Sequence, residues 1–232
     1  PQLVQNIAQS MEHDISYDAS TPGGYTFSQH SSNSSSLDKI SVGDWDFVIL
    51  QEQSQIPSFP PSQVTSDCYP FAAALCTAIR NSNPCTRPLF YMTWGRQNGD
   101  AANCGFYPPL CTYEGMQTRL TESYTEMAKD NNASVAPIGE AWRTVRATTS
   151  DAINLYAGDG SHPSIYGSYL TACVLYASMF QSSPVGSSYP SEISSEDAEI
   201  LQTVAANTVL SDLNTWHISS PVPLALVDAP CL

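Results

Sequence analysis

Short apolar runs alternate along this chain with longer segments of helical periodicity, and no other feature constrains the fold as strongly. Extended runs are predicted at 15–19, 45–50, 88–93 and 134–138. Helical segments, in which apolar residues recur three and four positions apart, are predicted at 1–11, 62–79, 114–129, 140–147, 164–180 and 195–210. Parallel strands need long crossovers, which are usually helical. The alternation therefore predicts an α/β fold, a sandwich with a mostly parallel central sheet.

The length of the chain limits the number of domains, and its charge excludes some classes of partner. The chain has 232 residues, 42% of them hydrophobic, which is enough for one sizeable core. We expect a single domain over 1–232, in which 211–232 forms a C-terminal tail. Because 8 Lys and Arg stand against 22 Asp and Glu, neither nucleic acid nor an anionic membrane surface is an expected partner. No apolar run approaches the ~18–20 residues that a membrane-spanning helix needs.

The cysteines indicate an oxidising compartment. None of the seven is spaced as Cys-x-x-Cys, which fits a secreted protein with disulfides better than a zinc site or a redox motif. Cys104 and Cys111 bracket a short loop that a disulfide could close, and Cys173 is the candidate for a buried free thiol. Sequons at Asn33 and Asn132 predict glycosylation, in agreement with an extracellular location. The histidines lack ligand spacing, so no metal is predicted, and no other cofactor is implied.

Asp159 and His162 stand three residues apart on a tight glycine-containing segment directly before an apolar helix. A carboxylate at this spacing can bind one imidazole nitrogen and leave the other free to accept a proton from a nucleophile. The arrangement predicts an orienting acid and a general base. The alternative interpretation is a glycine turn and a helix start with an incidental histidine.

Three further clusters each follow a predicted strand. Gly24 follows the first strand, Gln51 and Gln53 follow the second, and Trp94 and Arg96 follow the third. Because the carboxyl ends of parallel strands share one edge, where open α/β folds bind ligands, we expect the clusters to converge on the acid and base. Gly24, Gln51 and Gln53 are candidate oxyanion donors, and Trp94 and Arg96 are candidate substrate contacts. Taken singly, each also fits a turn, a strand end or the core.

Together these segments resemble the SGNH, or GDSL-like, hydrolase superfamily, in a poorly characterised branch. The resemblance spans residues 1–180 in the expected order and rests on TPGGYT at 21–26, WDFVILQEQS at 45–54, YMTWG at 91–95 and DGSHPS at 159–164. It implies a three-layer α/β/α sandwich and ester hydrolysis by a serine nucleophile, with His162 as the base, Asp159 orienting it and Gly24 as a backbone oxyanion donor. Gln53 stands where the superfamily usually has an asparagine donor, and Gln51 is the reserve candidate for that role.

The nucleophile motif of the superfamily, Gly-Asp-Ser or Gly-Asn-Ser, is not found in this chain, which starts where that motif would just have ended. Ser10, Ser54 and Ser161 do not fit the role by position. We therefore expect a further N-terminal segment of roughly 15–30 residues that supplies a central strand and the serine. It could be a separate peptide of the same precursor, held beside the 45–50 strand.

These features predict a secreted, glycosylated SGNH-type esterase. Its expected substrates are the O-acyl esters of a carbohydrate or a similar small ester. Two other functions stay open from the sequence. One is an inactive SGNH-like domain with a glycan-binding or structural role outside the cell, and the other is a secreted scaffold without a site. The presence or absence of the predicted N-terminal strand with its serine distinguishes the active enzyme from the inactive domain.

Overall fold

The structure, a computed structural model of the chain, describes residues 1–218. Its strands are β1 Phe47–Leu50, β2 Arg87–Tyr91 and β3 Ser134–Ala136, which lie in the order β1-β2-β3 with both pairs parallel. The α-helices of this part of the chain are α1 Gln2–Ser10, α2 Phe27–His30, α3 Ser34–Ser41, α4 Pro61–Asp67, α5 Tyr69–Ser82, α6 Tyr113–Asp130, α7 Ile138–Thr149, α8 Ile165–Phe180 and α9 Ser195–Leu210.

Two helical layers enclose the sheet. The crossover from β1 to β2 contains α5, and the crossover from β2 to β3 contains α6, so the right-handed rule puts both helices on the same face. In the second layer, α8 packs against α1, α7 and α9 and contacts β3. The predicted α/β sandwich with a parallel sheet is confirmed.

The helix α8 is buried along most of its length, including every residue from Tyr169 to Ser178. It is apolar on all sides, as a helix enclosed by its neighbours should be. The Ser164 hydroxyl caps its start by accepting a hydrogen bond from the Gly167 amide. Because the segment with Asp159 and His162 leads directly into this cap, the cap fixes one end of that loop.

The run at 15–19 forms no strand, contrary to the prediction. An extended run becomes a strand only when a neighbouring backbone supplies ladder hydrogen bonds, and no backbone of residues 1–218 does so here. Side chains hold the segment instead. The Ile15 carbonyl accepts from Gln5 Nε2, and Asp18 pairs with Lys39.

The helix predicted over 62–79 is two helices, α4 and α5, which meet at Cys68 with non-helical dihedrals (φ −123°, ψ −58°). Pro70 explains the break, because proline has no amide hydrogen and its ring disfavours helical geometry in the residues before it. The helices α2 and α3 were not predicted. Their starts carry recognisable caps, since Thr26 and Gln29 form a capping box and the Asn33 side chain accepts from the third amide of α3.

The predicted disulfide between Cys104 and Cys111 is confirmed and closes part of the long loop after β2. Cys173 is a buried free thiol, as predicted, and Cys68 and Cys76 are further buried free thiols among the described residues. None of the helices described is long and apolar enough to cross a membrane. The predicted tail lies outside the described residues from position 219 onwards.

Candidate active site

Asp159 and His162 form a hydrogen-bonded pair in the loop between α7 and α8. His162 Nδ1 lies 2.5 Å from Asp159 Oδ2, while Asp159 Oδ1 accepts from the amides of Ser161 and His162, both at 2.9 Å. The imidazole contact and then these two amides hold the pKa of Asp159 well below its ordinary value. The carboxylate is therefore ionised near neutral pH, where it directs the Nδ1 proton of His162 towards itself and leaves Nε2 free to act as a base.

The loop that carries this pair is fixed to the body of the protein by backbone and indole contacts. Gly160 O accepts from the Gln97 amide at 2.9 Å, and Ser161 O accepts from Trp94 Nε1 at 3.0 Å. Gly160 has a φ of +67°, a conformation that glycine adopts without strain. The orientation of the exposed pair is thus set by the anchored backbone beneath it.

Trp94 lies beneath the loop and is largely buried. It is 9% exposed, and its ring stacks on that of Trp142 with centroids 3.9 Å apart. Arg96 is nearer to solvent, and its guanidinium pairs with the buried carboxylate of Asp100 at 3.0 Å. Trp142 covers one face of the Trp94 ring and the Trp94 indole N–H donates to Ser161, and the contacts of Trp94 and Arg96 with substrate stay predictions.

A buried glutamate, Glu52, follows β1 between Gln51 and Gln53, the two glutamines predicted as oxyanion donors. It is 1% exposed, and its carboxylate accepts from the Phe27 amide at 3.0 Å to each oxygen and from the Gln53 amide at 2.6 Å. The sequence held a signal for it. Residues two apart on an extended chain share a face, so Glu52 points the same way as the buried Leu50, while Gln51 points to solvent.

The free energy of unfolding is expected to depend on pH through Glu52. Burial raises its pKa from 4.5 to about 7, although the Phe27 and Gln53 amides act in the opposite direction. Because the folded pKa exceeds the unfolded one, the contribution of Glu52 to stability is present below pH 4.5 and is lost as the pH rises through 7. The loss is about 3 kcal/mol at pH 8.

Urea unfolding of the wild type and Glu52→Gln at pH 4 and pH 8 measures this loss, because all other titrating groups are common to both proteins. Between the two pH values, the difference in stability should move by about 3 kcal/mol in favour of the variant. A difference that stays constant with pH would show that Glu52 titrates normally.

The predicted oxyanion donors lie in the two segments that the Glu52 carboxylate joins, the one before Phe27 and the one at the end of β1. Gln53 is half-buried, and its side chain both donates to Gln55 Oε1 at 3.1 Å and accepts from the Gln55 amide at 2.9 Å. Gln51 is exposed. Gly24 is exposed in a turn with a φ of +72°, where an added Cβ would meet no atom within 4 Å. Backbone conformation, and not crowding, is therefore the reason for glycine at this position.

Asp100 connects the end of β1 with the loop of the acid–base pair. Its side chain is fully buried and accepts from Gln55 Nε2 at 2.6 Å and from Arg96 Nη1 at 3.0 Å. The residue after Arg96 is Gln97, whose amide donates to the Gly160 carbonyl in the loop of Asp159 and His162, which we call the dyad loop. A continuous series of contacts thus runs along the carboxyl edge of the sheet, where the clusters were expected to converge.

No serine within residues 1–218 hydrogen-bonds to Nε2 of His162, whose side chain is 80% exposed. Another serine does contact a histidine, since Ser36 Oγ lies 2.8 Å from His30 Nδ1. Ser36 is 6% exposed, and its hydroxyl also contacts Ser20 Oγ at 2.9 Å. Its burial keeps substrate away, so we interpret this second pair as a packing contact at the start of α3.

The two sequon asparagines are placed differently. Asn33 is half-buried and caps α3 through Oδ1, whereas Asn132 is exposed after α6 with a φ of +46°. Glycosylation at either residue stays a prediction. Over the part of the chain that the structure covers, no three His, Cys, Asp or Glu side chains are grouped so that they could hold a metal ion.

The chain matches no protein family and no curated protein. Solved structures do resemble it. One is a DUF4886 family protein from Bacteroides uniformis, with a TM-score of 0.73 and 16% identity over 89% of this chain and 88% of that chain. Another, from Slackia heliotrinireducens, is described as "a putative SGNH hydrolase" and has a TM-score of 0.57 and 26% identity over 75% of this chain and 89% of that chain.

These likenesses agree with the parallel sheet and its two helical layers. The resemblance that the sequence motifs indicated is therefore present in the architecture. The chain has an SGNH-like fold.

Proposed function

We propose that this protein is an SGNH-type esterase that hydrolyses O-acyl esters through a serine nucleophile. The observation that carries the proposal is the Asp159–His162 pair, with its 2.5 Å contact at Nδ1 and an exposed imidazole. This is the arrangement that a general base needs, since one ring nitrogen is held by an ionised acid and the other faces the substrate side. The hydrolase-like fold supports the same conclusion.

In the reaction, Nε2 of His162 takes the proton of the serine hydroxyl as the oxygen attacks the ester carbonyl. Asp159 stabilises the imidazolium that forms, and the proton then passes to the leaving alcohol. Water, activated by the same base, cleaves the acyl-serine and releases the acid. The Gly24 amide and the carboxamide of Gln53, or of Gln51, donate to the negative oxygen of each tetrahedral intermediate.

An unpaired edge of the sheet supports the proposal that an N-terminal segment of the same precursor supplies the serine. Within residues 1–218, β1 pairs with β2 alone, and Ile49 on β1 is 41% exposed. The 15–19 segment likewise has no ladder partner in the described structure. Apolar edge strands are normally covered. A strand beside β1 would cover this edge and end at the carboxyl side, next to the site.

The substrate we propose is an acyl group carried on a carbohydrate or a similar polar alcohol. His162 and Asp159 lie at the surface of the described residues, 80% and 51% exposed, and a site at the surface admits an acyl group on a larger molecule. The Cys104–Cys111 disulfide supports a location outside the cell, where such bonds persist. The sequons at Asn33 and Asn132 agree with that location.

A fluorophosphonate probe, which reacts with activated serines, is expected to label the protein made from its complete coding sequence at a serine outside residues 1–232. The reason is that no serine of the described residues contacts His162 Nε2. Mass spectrometry of the labelled peptide locates the site. His162→Ala should lose the labelling, because the base that activates the serine is gone.

A chain limited to residues 1–232 is the matched control and should stay unlabelled. Labelling of a serine within those residues would show that the nucleophile lies in this chain. If the complete protein neither reacts with the probe nor hydrolyses esters, the esterase proposal fails and an inactive glycan-binding or structural domain becomes the better interpretation.

A further inference from the structure

Glu52 is buried where a neutral side chain would cost less free energy. The titratable groups that face it are the Cys68 thiol, between α4 and α5, and the Tyr124 hydroxyl of α6. Burial raises the pKa of both groups, so both are neutral near pH 7 and neither supplies a counter-charge. A buried carboxylate without a cation lowers stability. Its presence at the edge of a candidate site indicates a functional role.

The donors around Glu52 show which parts of the fold it joins. Its two oxygens accept from the amide of Phe27, the first residue of α2, and one of them accepts from the amide of Gln53. The Phe27 ring is buried, with its centroid 6.0 Å from that of Phe90 in β2. Gly24 lies three residues before Phe27 in the chain. Glu52 therefore connects the end of β1 to the loop that presents the Gly24 amide.

We propose that Glu52 is a positioning residue that fixes the Gly24 loop against the end of β1, so that the donors of Gly24 and Gln53 reach the same substrate oxygen. Its effect on rate rests on the proposed ester hydrolysis, whereas its contact with the Phe27 amide does not. An ionised carboxylate accepts both amides at once. A carboxamide has one accepting oxygen. With that oxygen in the place of Oε1, its NH₂ group stands where Oε2 accepted and faces the Phe27 N–H, so Glu52→Gln keeps the size and removes one acceptor from the Phe27 amide.

The contact is tested by NMR of isotope-labelled protein between pH 5 and pH 9. The amide protons of Phe27 and Gln53 should shift together, with one midpoint, as Glu52 takes up a proton. This titration should vanish in Glu52→Gln and persist in Glu199→Gln, a control at an exposed glutamate of α9. A titration confined to the Gln53 amide would overturn the proposal, because Glu52 would then hold only its own strand end.

The effect on rate is tested with purified complete protein at pH 8. Glu52→Gln is expected to lower kcat by about 10–100-fold with little change in KM, because the oxyanion forms only during the reaction. The same variant should be no less stable than the wild type at this pH. A purely structural role predicts the opposite result, in which the variant loses stability and keeps its kcat, and that result would overturn the positioning role.

Failure of this inference is distinguishable from failure of the proposed function. If the wild type hydrolyses esters and Glu52→Gln keeps the full kcat, the esterase proposal stands and the positioning role is wrong. If no form of the protein hydrolyses esters but the Phe27 amide titrates with Glu52, the contact between Glu52 and the Gly24 loop is confirmed and the esterase proposal fails.

Discussion

Replacement of His162 by alanine is expected to lower kcat/KM for ester hydrolysis by about 10⁴–10⁶-fold in the complete protein. The change removes the base that takes the serine proton. It should leave the fold intact, since the imidazole is 80% exposed and Asp159 is the side chain it contacts. Initial rates with a nitrophenyl ester measure the activity, and a thermal melt followed by circular dichroism measures the fold. Full activity in this variant would reduce His162 to a residue at a helix start.

Asp159→Asn provides the graded comparison. The expected loss is about 10²–10⁴-fold, because the base stays but loses its orienting charge and its preferred tautomer. The matched control is Asp212→Asn, at an exposed aspartate whose carboxylate likewise accepts from a backbone amide three residues on, that of Thr215. This control should keep the wild-type rate. Equal losses in the control and in Asp159→Asn would show that the effect is a general one of turn stability.

The acid–base pair could be predicted because it is local. Asp159 and His162 are three residues apart, so one turn of backbone brings their side chains together without help from the rest of the fold. The approach of the β1 and β2 ends was also predictable, since it follows from parallel strands and their crossovers. Both predictions use only short-range spacing and general rules of topology.

The hydrogen-bond partners of Glu52 and Trp94 could not be predicted, because they are distant in the chain. Glu52 is held by an amide 25 residues earlier, and Trp94 donates to a carbonyl 67 residues later. The 15–19 run also shows that sequence pattern does not reveal distant partners. Its composition suits a strand, but a strand also requires a neighbouring backbone, and sequence pattern does not say where that neighbour comes from.

An aromatic layer beneath the dyad loop carries the largest expected effect on stability. Trp142 on α7 is fully buried between the stacked ring of Trp94 and the ring of Tyr156, which meets it edge-on at 4.9 Å. On α8, Gly167 packs so closely that an added Cβ would lie 2.6 Å from the Trp142 ring. Tyr156 in turn donates to the Gly95 carbonyl at 2.6 Å. The layer therefore joins α7, α8 and the segment after β2.

Trp142→Ala is expected to lower the free energy of unfolding by about 3–5 kcal/mol, because it leaves a large cavity that rigid neighbours cannot fill. Urea denaturation measures the change. It should be accompanied by a lower kcat, since the loss of the stacked ring frees Trp94, whose indole holds the dyad loop at Ser161. A loss of less than about 1 kcal/mol would mean that the surrounding helices collapse onto the site.

Phenylalanine substitutions then separate packing from orientation, because the two indoles differ in one respect. Trp94 Nε1 donates to Ser161 O, whereas Trp142 Nε1 is buried without a hydrogen-bond partner among the described residues. Trp94→Phe should therefore lower kcat more than Trp142→Phe, although both remove the same volume. Trp142→Phe also removes an unpaired buried donor, which offsets part of its cavity cost. The reverse order of kcat would show that stacking, and not the indole bond, orients the loop of Asp159 and His162.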